Sequence, residues 1–205
     1  MTNPQRRRVG ILLFPQFELL DVFGPAEMFG ILRDQCELVL VAAAAGPVAS
    51  AQGPQALAAF GFADCPHLDL LLVPGGIGTR IAVNDETLLA WIRDRVARAE
   101  VAMTVCTGTS LFARAGVLDG RRATTNKLSF DWVMSQGPDV TWVRQARWVE
   151  DGKFATSSGV SAGMDMALAV IERLWGAEVA RLVEVVTEYD RHRDASWDPF
   201  AAIHT

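Results

Sequence analysis

Val101-Ala102-Met103-Thr104-Val105-Cys106-Thr107-Gly108-Thr109-Ser110 is the stretch on which the fold turns. Up to Val105 its small and β-branched residues read as a buried strand, and beyond Gly108 the spacing of Leu111, Phe112 and Ala115 predicts a short helix over residues 111–116. Cys106 therefore falls at a strand-to-helix turn. Such a turn lifts one side chain to the end of a sheet, and the helix that follows aims free N–H groups and the positive end of its dipole at it, favouring thiolate over thiol. Hydrolases use the same geometry for serine, with glycines two residues to either side; here Gly108 matches and Thr104 does not. A lone cysteine can also pack as a small hydrophobe. The strand, helix and glycine-loop context favours the nucleophile.

Working outward, Val9-Gly10-Ile11-Leu12-Leu13-Phe14 is a continuous apolar run, as expected of a strand covered on both faces in a parallel sheet. Pro25 is read as opening a helix that carries Ala26, Met28, Phe29 and Leu32, because proline is tolerated in a first turn. Asp21 then stands just before the helix, as an N-cap or as a catalytic acid. Residues 36–43 make a second strand, and residues 47–62, with Gly53 and Pro54, read as short antiparallel strands. Leu68-Asp69-Leu70-Leu71-Leu72-Val73 is another buried strand and runs into Pro74-Gly75-Gly76-Ile77-Gly78-Thr79. Loops at the carboxyl ends of strands form the ligand crevice in doubly wound folds, and glycines let a backbone approach a substrate closely. Gly75, Gly76, Ile77 and Gly78 are thus candidate substrate or oxyanion-binding residues facing Cys106. The loop is not G-x-G-x-x-G, so it does not point to a nucleotide.

Residues 85–98 form an amphipathic helix with Leu88, Leu89, Ile92 and Val96 on one side. After the cysteine come a strand at 122–125, a helix at 128–134 and a strand at 140–143. A hairpin follows over 147–156, turned by Asp151-Gly152. Residues 157–162 lead into a helix bearing Met164, Leu168, Ile171 and Trp175, with Asp165 in its first turn offsetting the dipole, and a last helix covers 178–189. The alternation predicts one α/β domain over residues 1–205, a mostly parallel central sheet flanked by helices, with an arm at 1–8 and a tail at 191–205. A chain of this length can bury about 70% of its unfolded surface without disulfides or metals.

The formal net charge of -5 argues against nucleic acid, because the basic face that phosphate contacts require is missing. Arg6-Arg7-Arg8 reads as a solvated terminus. No apolar run reaches the roughly 18 residues of a spanning helix and no signal peptide is evident, so a cytoplasmic protein without membrane contact is expected. Cys36, Cys65 and Cys106 are odd in number and scattered, as reduced thiols are, and Cys36 and Cys65 have only packing contexts. His67, His192 and His204 show no metal-ligand spacing, and neither metal nor cofactor is called for. Trp197, Phe200 and Ile203 suggest that the tail docks on this subunit or on a partner.

Three pieces together resemble the DJ-1/PfpI superfamily: Phe14-Pro15 with Leu20-Asp21-Val22-Phe23-Gly24-Pro25, the Pro74-Gly75-Gly76 loop, and Val105-Cys106-Thr107-Gly108. Within it the chain is similar to the isonitrile hydratase branch, through Phe62-Ala63-Asp64-Cys65-Pro66, Arg122-Ala123-Thr124-Thr125 and Gly159-Val160-Ser161-Ala162-Gly163-Met164-Asp165. The resemblance implies a flavodoxin-like sandwich, of the class I glutamine amidotransferase-like kind, assembled as a homodimer. It makes Cys106 the nucleophile and Asp21 the acid beside it. Thr107 becomes the residue after the nucleophile, its N–H and that of Gly76 serving as anion donors. Where many relatives carry histidine, this chain has Asn126, which cannot act as a general base, so a cysteine-histidine-carboxylate triad is not expected. The implied reaction is cysteine-dependent hydration of a small-molecule isonitrile to an N-substituted formamide. Thiolate would add to the terminal carbon while Asp21 supplies a proton. Alternatives are glyoxalase or deglycase-like work on α-oxoaldehydes and a non-catalytic ligand or redox sensor. An amidotransferase is excluded by the lack of H-x-E.

Overall fold

The structure is a computed structural model and describes residues 6–203. Its first half holds β1 (Arg7–Leu12), α1 (Leu19–Gly30), β2 (Cys36–Val41), the hairpin β3 (Gly46–Ala49) and β4 (Gln55–Ala58), β5 (Leu70–Val73), α2 (Thr79–Ala82), α3 (Glu86–Arg98) and β6 (Val101–Val105). A 3-10 turn (Cys106–Gly108) leads into α4 (Thr109–Arg114), β7 (Arg122–Ala123), α5 (Phe130–Met134), β8 (Thr141–Trp142), β9 (Trp148–Asp151), β10 (Phe154–Ser157), α6 (Ala162–Trp175) and α7 (Ala177–Thr187).

The runs read as doubly covered strands are the middle of one six-stranded sheet, in the order β2-β1-β5-β6-β10-β9. Every pairing is parallel except β9 with β10, the hairpin turned by Asp151-Gly152. Every residue of β5, β6 and β10 is buried, which is why these strands show no polar alternation. The chain winds outward from β1 to β2 and then returns past β1 to β5. That reversal leaves a crevice at the carboxyl ends of β1 and β5, as in flavodoxin-like sheets. The architecture is a flavodoxin-like α/β sandwich. Register brings the loops level: Val73 lies opposite Thr104, and Val105 opposite Ser157. One step further, Cys106 N–H donates to the Ser158 carbonyl at 3.1 Å.

Several local expectations are corrected. The strand begins at Arg7, inside the stretch expected to be a solvated arm, because both guanidinium groups find carboxylates across the sheet end: Arg7 with Glu100 at 2.8 Å and Arg8 with Glu37 at 3.0 Å. The remainder of that arm, residues 1–5, lies outside the described residues. Helix α1 starts six residues before Pro25, at Leu19, and Pro25 sits within it. The N–H that proline lacks is the one that would bond Asp21 C=O, so the helix loses a single bond there. Asp21 is consequently a first-turn helical residue aimed inward, not an N-cap.

Asp165 does more than offset a dipole. It is fully buried, ion-paired with Arg147 at 2.6 Å, and accepts from Tyr189 Oη at 3.0 Å and from His192 N–H at 2.9 Å. It ties β9, α6 and the start of the tail together. The tail itself packs on its own chain through backbone bonds, Asp198 and the small residues Ala195 and Ala201. Arg147 N–H donates to Ala195 C=O at 2.8 Å, and Asp198, buried, lies 3.8 Å from the buried ammonium of Lys127. Trp197, Phe200 and Ile203 remain exposed. No helix among the described residues is long and apolar enough to cross a membrane.

Removing one member of a buried ion pair strands the other. Asp165→Ala should lower the unfolding free energy by about 3–5 kcal/mol, read as a shift of the urea midpoint, whereas Arg173→Ala, which breaks the partly exposed pair of Arg173 with Glu150 at 2.7 Å, should cost under about 1 kcal/mol.

Candidate active site

Cys106 occupies the turn expected of it, with a backbone that residues other than glycine rarely adopt: its φ is +56°. Such a conformation costs on the order of 1–3 kcal/mol and persists only where surroundings hold it. Here the N–H is tied to Ser158, and the carbonyl accepts from the Thr125 hydroxyl at 2.7 Å and from Thr109 at 3.3 Å. Gly108 lets the turn sit against the end of β5, since a Cβ there would lie 2.4 Å from Val73 C=O. The helix after the cysteine starts earlier than expected, at Thr109, and is six residues long.

The carboxyl group of Asp21 is fully buried beside this thiol. Gly75 N–H donates to Oδ2 at 2.8 Å, while Oδ1 is buried without a hydrogen-bond partner. Burial outweighs the Gly75 bond and holds Asp21 well above the ordinary carboxylate range. Burial, together with any negative charge on Asp21, also pushes the Cys106 thiol up, against the pull of the Thr107 and Val160 N–H groups. Burial therefore works against the charged form of both groups, which titrate as a pair.

The glycine loop divides its labour. Gly76 and Ile77 line the cleft over Cys106. Gly75 lies behind it, where a Cβ would come within 2.6 Å of Thr107 N and 2.9 Å of Asp21 Oδ2. Gly78 faces away, with room only for a hydrogen against Pro15 C=O, 2.0 Å from where a Cβ would stand. The Gly76 N–H, expected to be an anion donor, is already given to Thr107 Oγ1 at 3.0 Å. Thr107 is thus a brace between the two loops through its hydroxyl and a donor to sulfur through its N–H.

The cleft encloses about 190 Å³ and is completed by Asn126, at the position where the resemblance leads one to look for a histidine, and by Glu18, Arg80, Ser129 and Val160, none of which was assigned to it from sequence. Val160 acts through its backbone, and its own φ of +29° is strained. Only its place after the carboxyl end of β10 could have signalled it. Asn126 and Val160 also wall an adjoining, more apolar cavity of about 380 Å³ with Leu20, Leu128 and Phe200. None of the described histidines lines the cleft. His67 stands exposed beside Asp69, His192 is exposed, and His204 lies outside the described residues.

A family model described as the DJ-1/PfpI family matches residues 7–173. The chain belongs to the DJ-1/PfpI family. It is 38% identical over 182 residues to an isonitrile hydratase of Pseudomonas putida, an alignment covering 89% of this chain and 78% of that one. A transcriptional regulator, GbdR of Pseudomonas aeruginosa, is 26% identical over 94% of this chain but only 53% of its own length. Among solved structures, a ThiJ/PfpI family protein from Pseudomonas syringae superposes with a TM-score of 0.84 at 32% identity, covering 91% of this chain and 76% of the other. The family thus contains both enzymes and regulators, and the site chemistry has to choose between them.

The Thr125 hydroxyl holds the strained carbonyl of Cys106, so Thr125→Val, close in shape, should cost about 1–2 kcal/mol in urea unfolding. Thr125→Ser should recover most of that loss. Equal stability of all three proteins would deny the brace.

Proposed function

We propose that this DJ-1/PfpI protein hydrates isonitriles to N-substituted formamides, with Cys106 as nucleophile and Asp21 as proton relay. The observation that carries the reading is a fully buried carboxyl group, its ionisation disfavoured by that burial, beside a cysteine in a cleft that no described histidine lines. An isonitrile carbon requires a nucleophile and a proton at the same atom, and a thiol beside an acid provides both without a separate base. The similarity to the Pseudomonas putida isonitrile hydratase supports the same choice.

In the first step the Cys106 sulfur bonds to the terminal carbon as Asp21 gives that carbon its proton and takes up the proton of the thiol. The product is a thioimidate, R–N=CH–S–Cys106, and Asp21 is again neutral. Water then adds across the C=N bond, its oxygen to carbon and one proton to nitrogen. The C–S bond breaks as the remaining hydroxyl proton returns to sulfur, releasing R–NH–CHO. The sum is isonitrile plus water. The N–H groups of Thr107 and Val160 offset negative charge on sulfur as it leaves.

Asp21→Asn should retain the fold and lose turnover by about 10²-fold or more, with Cys106→Ala inactive, in an assay of N-cyclohexylformamide formed from cyclohexyl isocyanide. Because the acid form is the active one, the wild-type rate should fall as pH rises through the elevated Asp21 ionisation. A fully active Asp21→Asn protein removes the relay, and turnover of methylglyoxal with no formamide from any isonitrile replaces the reading altogether.

We also propose a homodimer. Leu20 and Phe23 of α1 are exposed beside Pro54, and Leu20 adjoins exposed Leu128 and Phe200, giving an apolar face at the cleft. Light scattering at micromolar concentration should return twice the mass of one chain. A single-chain mass would reject this assembly.

A further inference from the structure

Most buried or half-buried arginines of this protein are paired with carboxylates: Arg7, Arg8, Arg147 and Arg191 each meet one within 3.0 Å. Arg80, on the wall of the Cys106 cleft, is different. Its guanidinium carbon lies 3.4 Å from the centroid of the Trp132 ring, and one terminal nitrogen donates to Ser129 Oγ at 3.3 Å. Among the described residues no carboxylate forms an ion pair with it, and partial burial alone acts on its ionisation. Glu18, which lines the same cleft, has one carboxylate oxygen taken by Gln52 Nε2, which donates to its Oε1 at 2.6 Å.

The guanidinium is also held in one orientation. The indole fixes its plane from one side, and Ser129 is itself fixed, because its N–H donates to Asn126 Oδ1 at 3.0 Å. A guanidinium presents its N–H donors as a rigid fork matched to a carboxylate, and only one of those donors is spent on Ser129. Partly buried, oriented and ion-paired with no carboxylate among the described residues, Arg80 leaves a place for one from outside.

We infer that Arg80, with Ser129, is a recognition site for a carboxylate on the substrate. Resting on the hydration reading, this makes the preferred substrates small isonitriles that carry a carboxylate near the isocyano group. The cleft that contains both Arg80 and Cys106 encloses only about 190 Å³, so the acid group stands a few bonds from the reacting carbon. The adjoining cavity past Asn126 and Val160 exposes the apolar side chains of Leu20, Leu128 and Phe200 and gives the remainder of the molecule an exit that does not compete for the guanidinium.

Isocyanoacetate and its methyl ester differ in charge and little in size, and form N-formylglycine and its ester respectively. The wild-type protein should favour the acid by about tenfold or more in kcat/KM, chiefly through KM. Added salt should reduce the ratio. Arg80→Gln should bring it to about one, and Arg80→Lys should keep part of it, because charge without the fork is a weaker match. A ratio near one in the wild type, or an unchanged ratio in Arg80→Gln, overturns the inference. Binding separates it from the chemistry. By calorimetry on Cys106→Ala protein, N-formylglycine should bind at least about tenfold more tightly than its methyl ester, and adding Arg80→Gln should erase the difference. If that preference stands while no isonitrile is turned over, the hydration reading fails and the carboxylate site survives. If isonitriles are hydrated but neither preference exists, the site fails and hydration stands.

Discussion

A carboxyl group taken out of water beside a thiol is the constraint on which the rest of this site depends. Asp21 is fully buried, receives a single N–H, and has a second oxygen with no hydrogen-bond partner. Such a group is stable only as the neutral acid, because an isolated buried carboxylate would cost far more than one hydrogen bond returns. Much of the surrounding architecture serves that juxtaposition. Gly75 is there because nothing larger passes between Asp21 and Thr107. The Glu18 N–H bond to Gly75 C=O at 2.8 Å pins the start of α1 to the same loop. The strained turn at Cys106 is held from behind by Thr125 and Thr109.

These contacts come from separate parts of the chain, and the sheet is what makes them coincide. The loops after β1, β5, β6 and β10 meet because their strands are parallel, adjacent or nearly so, and in register. Thr125, which follows β7 of a separate two-stranded sheet, reaches the carbonyl of Cys106 because the neighbouring Thr124 N–H is held by Thr156 Oγ1 of β10 at 2.9 Å. The loop after β6 also reaches the one after β5, so that the Thr107 hydroxyl supplies the partner of the part-buried Gly76 N–H.

The strands and the position of Cys106 were legible in the sequence because burial on both faces writes a continuous apolar run, and a turn at its end is marked by glycine. Asp21 was legible as an acid but not in its place. Pro25 suggested a first turn, whereas the helix begins earlier and tolerates the proline inside. Val160 was invisible because a backbone N–H carries no residue identity. Arg80 and Ser129 were hidden for another reason: their meeting at Trp132 is a packing event between α2 and the region of α5, elements too short to have strong periodicity. The tail showed its apolar residues, yet Asp198 is what reaches Lys127 in the interior, a long-range pairing that no local pattern announces. Burial brings that lysine down to about 8, the opposite displacement to the one that keeps Asp21 protonated.

The account rests most heavily on the protonation state of Asp21, and infrared spectroscopy reads that state directly. A carboxylic acid shielded from water gives a C=O stretching band well separated from carboxylates and amides. The difference spectrum of wild-type against Asp21→Asn protein at pH 6, repeated in deuterium oxide to mark the exchangeable proton, should contain that band as a wild-type feature. A difference spectrum that instead showed the loss of carboxylate bands, with no protonated carboxyl, would mean that Asp21 is ionised beside Cys106 and would contradict the proton relay at the centre of this site.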